Sequence, residues 1–147
     1  MRFTRFHVSG ALLAFFAPLA AHATTYFVAP NGSDTADGSM GTPFATMNHA
    51  NSIAKAGDVF NFRAGTYTYA KAETFCGGGA SDNNQTATVV AITLGKSGSA
   101  GNLITYQAYQ NELPILSFSG IKNDCRVKGL NVTGSYIYLK GLEITGV

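Results

Sequence analysis

Three consecutive segments decide the fold of this chain: TYFVAPNGSD at residues 25–34, TPFATMNHANSIAKAGD at residues 42–58 and VFNFRAGTYTY at residues 59–69. The first and third segments are rich in β-branched and aromatic residues, which favour strands. The middle segment has the pattern of one amphipathic helix. Most of the later sequence consists of short apolar runs separated by glycines. The sequence therefore predicts many short strands behind a single helix near the amino terminus.

The helix is predicted to begin at Thr42, whose hydroxyl can cap free N–H groups, with Pro43 in the first turn. Gly57 is predicted to end it after about 13 residues. Its apolar residues share one stripe at helical spacing. They are Met47, Ala50, Ile53 and Ala54. A helix of this kind needs a surface to cover, and we expect it to close the open end of a sheet or solenoid.

An internal repeat occupies the last twenty residues. The octapeptide VKGLNVTG at residues 127–134 recurs twelve residues later as LKGLEITG at residues 139–146, with five of eight positions identical. Short strands that recur in this way are typical of a β-solenoid, in which each turn of the chain adds one strand to each sheet. The alternative is a hairpin meander in a β-sandwich.

The parity of the apolar residues around this repeat favours the solenoid. Ile137 and Leu139 share one face, but a straight strand would place Leu142 and Ile144 on the opposite face. A corner at Lys140-Gly141 returns all four side chains to one interior. An equivalent corner is expected at Lys128-Gly129, where the same change of parity occurs. A meander does not explain a parity change that is repeated.

Composition limits the chain to one domain of 147 residues. Only 12% of the residues are charged, and ten Lys and Arg face eight Asp and Glu. Arg2 and Arg5 lie in a segment that we expect to be removed, which leaves eight basic and eight acidic residues. This balance is unlike the basic footprint of a nucleic-acid-binding protein, so no nucleic-acid partner is predicted.

Residues 1–23 have the pattern of a secretory signal peptide. A basic start at Arg2 and Arg5 precedes an apolar run, and Ala21-His22-Ala23 provides a small-x-small cleavage site. The apolar run is too short to span a bilayer comfortably. We expect residues 24–147 to form the exported domain, secreted outside the cell or into the periplasm, with no membrane attachment after cleavage. Cys76 and Cys125 would then meet an oxidising compartment, where a disulfide between them is possible.

Several motifs resemble the start of right-handed parallel β-helix proteins of the pectate lyase superfamily, and polysaccharide lyase family 9 in particular. They are distributed along most of the length of residues 24–147, in the order found in that family. They are YFVAPNGSD (26–34), TPFAT (42–46), AGD (56–58), AGTY (64–67), NLITYQAY (102–109) and YIYLKGLEI (136–144). The fold class expected from the resemblance is all-β: a right-handed parallel β-helix, first coils only, with an amino-terminal capping α-helix.

The resemblance implies β-elimination on an acidic plant-type polysaccharide such as pectate, by a protein that is a monomer at full length. This chemistry needs a base that removes the proton beside a carboxylate, and Ca²⁺ that neutralises the carboxylate. In the family an aspartate cluster holds the calcium and a lysine further along the β-helix is the base. Neither is found in this sequence, so we expect the catalytic residues beyond Val147.

Within the chain, Asn31, Asp34 and Asp37 offer oxygen atoms that a hard cation accepts as ligands. The same residues are also typical of turns, because Asn-Gly and Asp-Gly pairs stabilise tight backbone bends. Turn formation is the stronger interpretation. His49 is the one histidine outside the predicted signal peptide. Without a second ligand or a nucleophile nearby in the sequence, it is predicted to be structural.

Lys128 and Lys140 could be read as bases, but their matching positions in the repeat favour solvated corner residues. Tyr136 and Tyr138 are predicted to project from the face opposite Ile137. Exposed aromatic rings there could stack on sugars, or they could pack beneath a loop or a neighbouring strand. Two further functions remain open beside the lyase. They are a non-catalytic β-helix surface or adhesion module and another β-helix enzyme, such as a glycoside hydrolase with paired carboxylates.

Overall fold

The computed structural model describes residues 23–70, 88–121 and 126–146. These residues form one helix and nine strands, in the following chain order. They are β1 (Thr25–Val28), α1 (Met47–Ile53), β2 (Val59–Phe62), β3 (Gly65–Thr68), β4 (Thr88–Leu94), β5 (Ile104–Ala108), β6 (Pro114–Ser117), β7 (Arg126–Val132), β8 (Ile137–Lys140) and β9 (Glu143–Thr145).

The strands form three parallel sheets that the chain visits in turn. Sheet A has the order β1-β2-β5-β8, sheet B the order β3-β6-β9 and sheet C the order β4-β7. Every strand pair is parallel. Strands β2, β3 and β4 make one coil, and β5, β6 and β7 make the next coil beside it. The chain therefore winds, which confirms the predicted parallel β-helix, and the hairpin meander is wrong.

A ladder of stacked aromatic rings runs through the interior from coil to coil. Tyr26, Phe60 and Tyr106 occupy the same register position on β1, β2 and β5. Their ring centroids are 5.2 Å apart in both steps, and the ring planes are nearly parallel. Phe60 and Tyr106 are fully buried. Leu139 continues the ladder on β8. Burial and stacking together hold the coils in register, because a slip of one residue would turn these rings outward.

The last described coil leaves apolar side chains exposed at the open end of the hydrophobic core. Val132, Leu139 and Ile144 pair in register with the buried residues Leu94, Tyr106 and Leu116. The side chains of the last coil nevertheless remain between 37% and 46% exposed. They point toward the core, and their uncovered side faces along the axis of the β-helix. This end of the described structure is an exposed apolar surface.

Helix α1 is shorter than predicted and begins later. Its N-cap is Thr46, whose hydroxyl oxygen accepts a hydrogen bond from the His49 N–H at 3.0 Å, rather than Thr42. The prediction of the helix start was wrong because Phe44 instead pairs with β1. The Phe44 N–H donates to the Phe27 carbonyl, and the Ala29 N–H donates to the Phe44 carbonyl. The apolar stripe was predicted correctly, since Met47 and Ala50 are fully buried.

Helix α1 covers the free edge of sheet C. The Asn48 side-chain amide donates to the Ala91 carbonyl at 3.3 Å, and the Asn51 amide donates to the Thr93 carbonyl at 3.1 Å. Both carbonyls belong to β4, which has β7 on one side only. The Asn51 side-chain oxygen also accepts from the hydroxyl of Tyr106 at 3.3 Å. Asparagine amides of the helix thus bond the edge carbonyls that a neighbouring strand would otherwise bond.

Of the two predicted corners, one is confirmed. Strand β8 ends at Lys140, β9 begins at Glu143, and Gly141 turns the chain between them with φ +69°. The corner at Lys128-Gly129 is wrong, because β7 runs through both residues in a single register with β4. The two octapeptides of the repeat therefore lie in different sheets. Their similarity is local and does not mark equivalent positions in successive coils.

Other predictions lie outside the described residues. They concern residues 1–22 of the predicted signal peptide and the proposed pair Cys76 and Cys125. Across residues 23–70, 88–121 and 126–146, the structure has no helix with the length and hydropathy that crossing a membrane requires.

Candidate functional site

The outer face of sheet A carries a continuous row of side chains across its four strands. Phe27, Asn61, Gln107 and Lys140 occupy one register position on β1, β2, β5 and β8. They point outward because their neighbours Phe60, Phe62 and Tyr106 point into the core. The Gln107 amide donates to the side-chain oxygen of Asn61 at 3.0 Å. We call this row the outer row.

An aromatic and charged cluster stands beside the outer row. The ring of Tyr109 meets that of Phe27 edge-to-face at 5.3 Å, and the Arg63 guanidinium lies 5.3 Å from the centre of the Tyr109 ring. Arg63 Nε donates to both carboxylate oxygens of Glu112 at 2.9 Å, and the Ala64 N–H donates to the same carboxylate at 2.6 Å. The Arg63 bond, followed by the Ala64 bond, holds the pKa of Glu112 below its ordinary value.

A surface cleft adjoins this cluster on the side of the amino-terminal loop. Its volume is about 530 Å³, and the residues that line it include Pro30, Met40, Arg63 and Glu112. Because Glu112 already accepts three hydrogen bonds, the ion pair serves mainly to fix the loop after β5 against the end of β2. The cleft is open to solvent and has one paired cation and one paired anion on its wall.

The two tyrosines singled out from the sequence are both exposed but differ in backbone setting. Tyr138 lies on β8, faces outward, and is 46% exposed. Tyr136 precedes the strand in a left-handed conformation with φ +56°, and its carbonyl accepts from the Ile104 N–H. Strand alternation therefore does not place the two rings on a common face. Their role in binding stays a prediction, and Tyr138 is the one that borders the outer row.

The candidate metal ligands are engaged in turn and cap structure. One oxygen of Asp34 accepts from the N–H groups of Ala45 and Thr46, both at 2.9 Å, and the other accepts from the Thr46 hydroxyl at 2.7 Å. Asp37 accepts from the Thr42 hydroxyl and from the Ser39 N–H, and these bonds lower the pKa of Asp37. Asn31 lies in the turn after β1. Metal binding by this trio stays a prediction.

Calcium, which the resemblance implies, has no fitting ligand set in the part of the chain that the structure describes. No group of three or more carboxylate, histidine or cysteine side chains lies together there. The carboxylates of Asp34 and Asp37 organise the loop before helix α1 instead. We therefore derive no catalytic step through a metal ion from these residues.

The candidate bases do not come together either. Lys140 is exposed at the end of β8 in sheet A, and Lys128 is exposed on β7 in sheet C. The ring of His49 packs edge-to-face on Phe44 with centroids 4.6 Å apart. A base needs a positioned partner or substrate within hydrogen-bond reach, and these three residues do not share a site.

The sequence interpretation missed Asn61, Gln107 and Tyr109. A signal for them exists, because Phe60 and Phe62 alternate with Asn61, and Tyr106 alternates with Gln107. This alternation identifies outward residues on each strand. It does not reveal which outward residues become neighbours, since that depends on the lengths of the loops between the strands.

Comparison with known proteins identifies the family. Residues 26–147 match the sequence model of a family described as "Pel9A-like, right handed beta helix region". The chain belongs to this family. The match confirms the resemblance predicted from the motifs and establishes the hand of the β-helix as right-handed.

Two solved structures are similar to this Pel9A-like β-helix chain. A rhamnogalacturonan lyase is 33% identical, with a TM-score of 0.71, over 83% of this chain and 28% of that chain. The pectate lyase Pel9A is 27% identical, with a TM-score of 0.61, over 81% of this chain and 27% of that chain. Both are parallel β-helix relatives with lyase names.

A curated relative is the "Uncharacterized protein YwoF" of Bacillus subtilis (strain 168). It is 32% identical over 97 residues, which cover 66% of this chain and 16% of that protein. The Pel9A-like chain thus spans 16% of this relative and just over a quarter of each lyase chain.

Proposed function

We propose that the chain is the amino-terminal part of an exported polysaccharide lyase. The proposed reaction is cleavage of an acidic polysaccharide by β-elimination, with pectate as the preferred substrate. The observation that carries this proposal is the family match over residues 26–147. It is supported by the similarity to a rhamnogalacturonan lyase and a pectate lyase over more than four-fifths of the chain.

In this proposal the described residues build and close the β-helix and do not perform the chemistry. The exposed lysines and His49 lie apart, and the carboxylates of Asp34 and Asp37 stabilise a loop. We therefore assign the base and the calcium ligands to residues outside the described ranges. Calcium dependence and preference for pectate are parts of the proposal that the experiment below tests separately.

The experiment compares the complete natural protein with the 147-residue chain. Each is incubated with polygalacturonate and with rhamnogalacturonan, with added Ca²⁺ or with a chelator. Unsaturated products are followed by their ultraviolet absorbance, and new reducing ends are counted in parallel. We expect ultraviolet-absorbing products from the complete protein, loss of activity with the chelator, and no activity from the 147-residue chain.

The two alternative functions give different results in the same experiment. New reducing ends without ultraviolet absorbance would replace the lyase with a hydrolase, which does not form an unsaturated sugar. Binding without any cleavage by the complete protein would replace it with a non-catalytic module. Activity of the 147-residue chain alone would show that the assignment of the catalytic residues is wrong.

Export and oligomeric state belong to the same proposal. The mature protein is expected to begin at Thr24 and to be monomeric at full length. Amino-terminal sequencing of protein recovered outside the cytoplasm tests the first expectation. Sedimentation equilibrium of the complete protein tests the second.

A further inference from the structure

Two aromatic and two polar residues occupy neighbouring register positions at the β8 end of the outer row. Lys140 of β8 is in register with Gln107 of β5, and Tyr138 is two positions before Lys140 on the same strand. Tyr109 is two positions after Gln107, and its N–H donates to the Phe62 carbonyl, which extends the β2–β5 pairing to that position. We call Gln107, Tyr109, Tyr138 and Lys140 the outer patch.

Strand geometry places the Cα atoms of these four residues within a distance that one or two sugar rings span. Neighbouring strands are about 4.8 Å apart, and residues two positions apart on a strand are separated by roughly 6.6 Å. The backbone position of Lys140 is therefore flanked by Tyr138 along its own strand and by Tyr109 diagonally on β5. The Tyr109 ring itself packs toward Phe27 and Arg63, so Tyr138 is the aromatic side chain that is free for a ligand beside Lys140. Tyr138 and Lys140 are exposed, and Gln107 and Tyr109 are half-buried.

The charge of this face favours an anionic ligand. Strands β1, β2, β5 and β8 contain no acidic residue. Of the carboxylates described beside the face, that of Glu112 is bonded by Arg63 and Ala64, and that of Glu143 belongs to β9 in sheet B. The Lys140 ammonium therefore lies on a face without a carboxylate of its own, which is the arrangement expected where a negatively charged group binds.

We propose that the outer patch binds a uronate residue of an acidic polysaccharide, a choice of ligand that rests on the proposed function. The Lys140 ammonium contacts the sugar carboxylate, the Gln107 amide bonds a hydroxyl, and the Tyr138 ring packs on the apolar face of a sugar. The outer row crosses the strands, so the bound polymer lies along the axis of the β-helix. The half-buried Phe27 extends this face toward the first coil, whereas Asn61 is buried and serves as the hydrogen-bond acceptor of Gln107.

The test measures binding rather than cleavage, using isothermal titration calorimetry on the complete protein. The ligands are an oligogalacturonate and its methyl ester, which has the same sugars without the charge. Lys140→Gln is expected to raise Kd for the acidic oligosaccharide about tenfold and to leave Kd for the ester unchanged, because one charge-assisted contact is lost. Tyr138→Ala is expected to weaken both ligands, since ring packing does not require the carboxylate.

The matched control is Lys128→Gln, which removes an exposed lysine of the same repeat motif from sheet C. It is expected to leave both Kd values within twofold of the unsubstituted protein. If Lys140→Gln and Lys128→Gln raised Kd for the acidic oligosaccharide equally, the change would be explained by net charge alone, and the proposal would be overturned. Unchanged binding in both outer-patch variants, or no binding of either ligand by the unsubstituted protein, would also overturn it.

The outcome is separable from that of the proposed function. If the complete protein cleaves polygalacturonate and Lys140→Gln binds both ligands normally, the proposed lyase function stands and the proposed binding role of the outer patch is refuted. If the complete protein cleaves neither polymer but Lys140→Gln selectively loses binding of the acidic ligand, the binding role of the outer patch stands and the lyase function is refuted. Far-UV circular dichroism of each variant verifies that the β-helix is retained.

Discussion

Replacement of Asn51 should destabilise the protein more than replacement of any other polar residue on the exposed side of helix α1. Its amide donates to the Thr93 carbonyl at 3.1 Å, and its oxygen accepts from the Lys96 N–H at 3.4 Å and the Tyr106 hydroxyl at 3.3 Å. The side chain thus connects the helix to the edge of sheet C and to the aromatic ladder. Asn48 makes one bond of the same type, to Ala91.

The expected magnitude follows from what Asn51→Ala leaves behind. Tyr106 is fully buried, and burial raises the pKa of its hydroxyl, which therefore remains a neutral donor at pH 7. A buried donor without its partner costs about 1–3 kcal/mol, and the lost bond to Thr93 adds about 1 kcal/mol. We expect Asn51→Ala to lower the free energy of unfolding by about 2–4 kcal/mol. Asn48→Ala, the matched control, should cost about 0.5–1 kcal/mol.

Equilibrium urea unfolding at pH 7, followed by circular dichroism and tyrosine fluorescence, measures these differences. A double-mutant cycle with Tyr106→Phe isolates the shared hydrogen bond. Tyr106→Phe should cost about 1 kcal/mol in the unsubstituted protein but should stabilise the Asn51→Ala background, since it there removes a buried hydroxyl that has already lost its partner. If Tyr106→Phe costs the same in both backgrounds, Asn51 does not stabilise the ladder and the reasoning is refuted.

Three further predictions concern the rest of the structure. The Arg63 contact lowers the pKa of Glu112 from 4.5, so the stability that the ion pair contributes is present above that pH and is lost as the pH falls through the lowered value. Glu112→Gln should therefore reduce the drop in urea midpoint between about pH 6 and pH 3. An unchanged drop would contradict this prediction. Thr46→Ala removes the N-cap bond to His49 and should cost about 1–2 kcal/mol in the same unfolding assay, whereas a loss below a few tenths would show that the cap is dispensable. The exposed apolar end of the β-helix should make the 147-residue chain self-associate. Leu139→Lys should therefore lower the average molecular mass of the chain in sedimentation equilibrium. A monodisperse, monomeric unsubstituted chain would contradict the prediction.

The strands of this protein could be predicted from the sequence with good accuracy. The run TVVAITL at residues 88–94 is rich in β-branched residues and forms β4, and the alternation of Phe60 and Phe62 with Asn61 places both rings on one face, which is buried. The winding of the chain was apparent from the parity change at Lys140-Gly141. These features depend on side chains only a few residues apart, and local periodicity records such relations directly.

Features that depend on contacts between distant segments were predicted poorly. The start of α1 moved from Thr42 to Thr46 because Phe44 bonds β1 and Asp34 bonds the Ala45 and Thr46 N–H groups. The apparent corner at Lys128-Gly129 was overridden by continuous pairing with β4.

The outer row was missed for the same reason. It brings together residues from different coils, which are far apart in the sequence. Alternation assigns each of its members to an outward face but does not establish the register between coils.

The aromatic ladder also has a consequence for biosynthesis. Each ring needs only the ring before it as a stacking partner, and the helix that closes the first coil is translated before the coils it covers. A nascent polypeptide can therefore acquire order one turn at a time as it leaves the ribosome, with every completed turn serving as the template for the next. We therefore expect assembly to be vectorial and to start from the end that is made first.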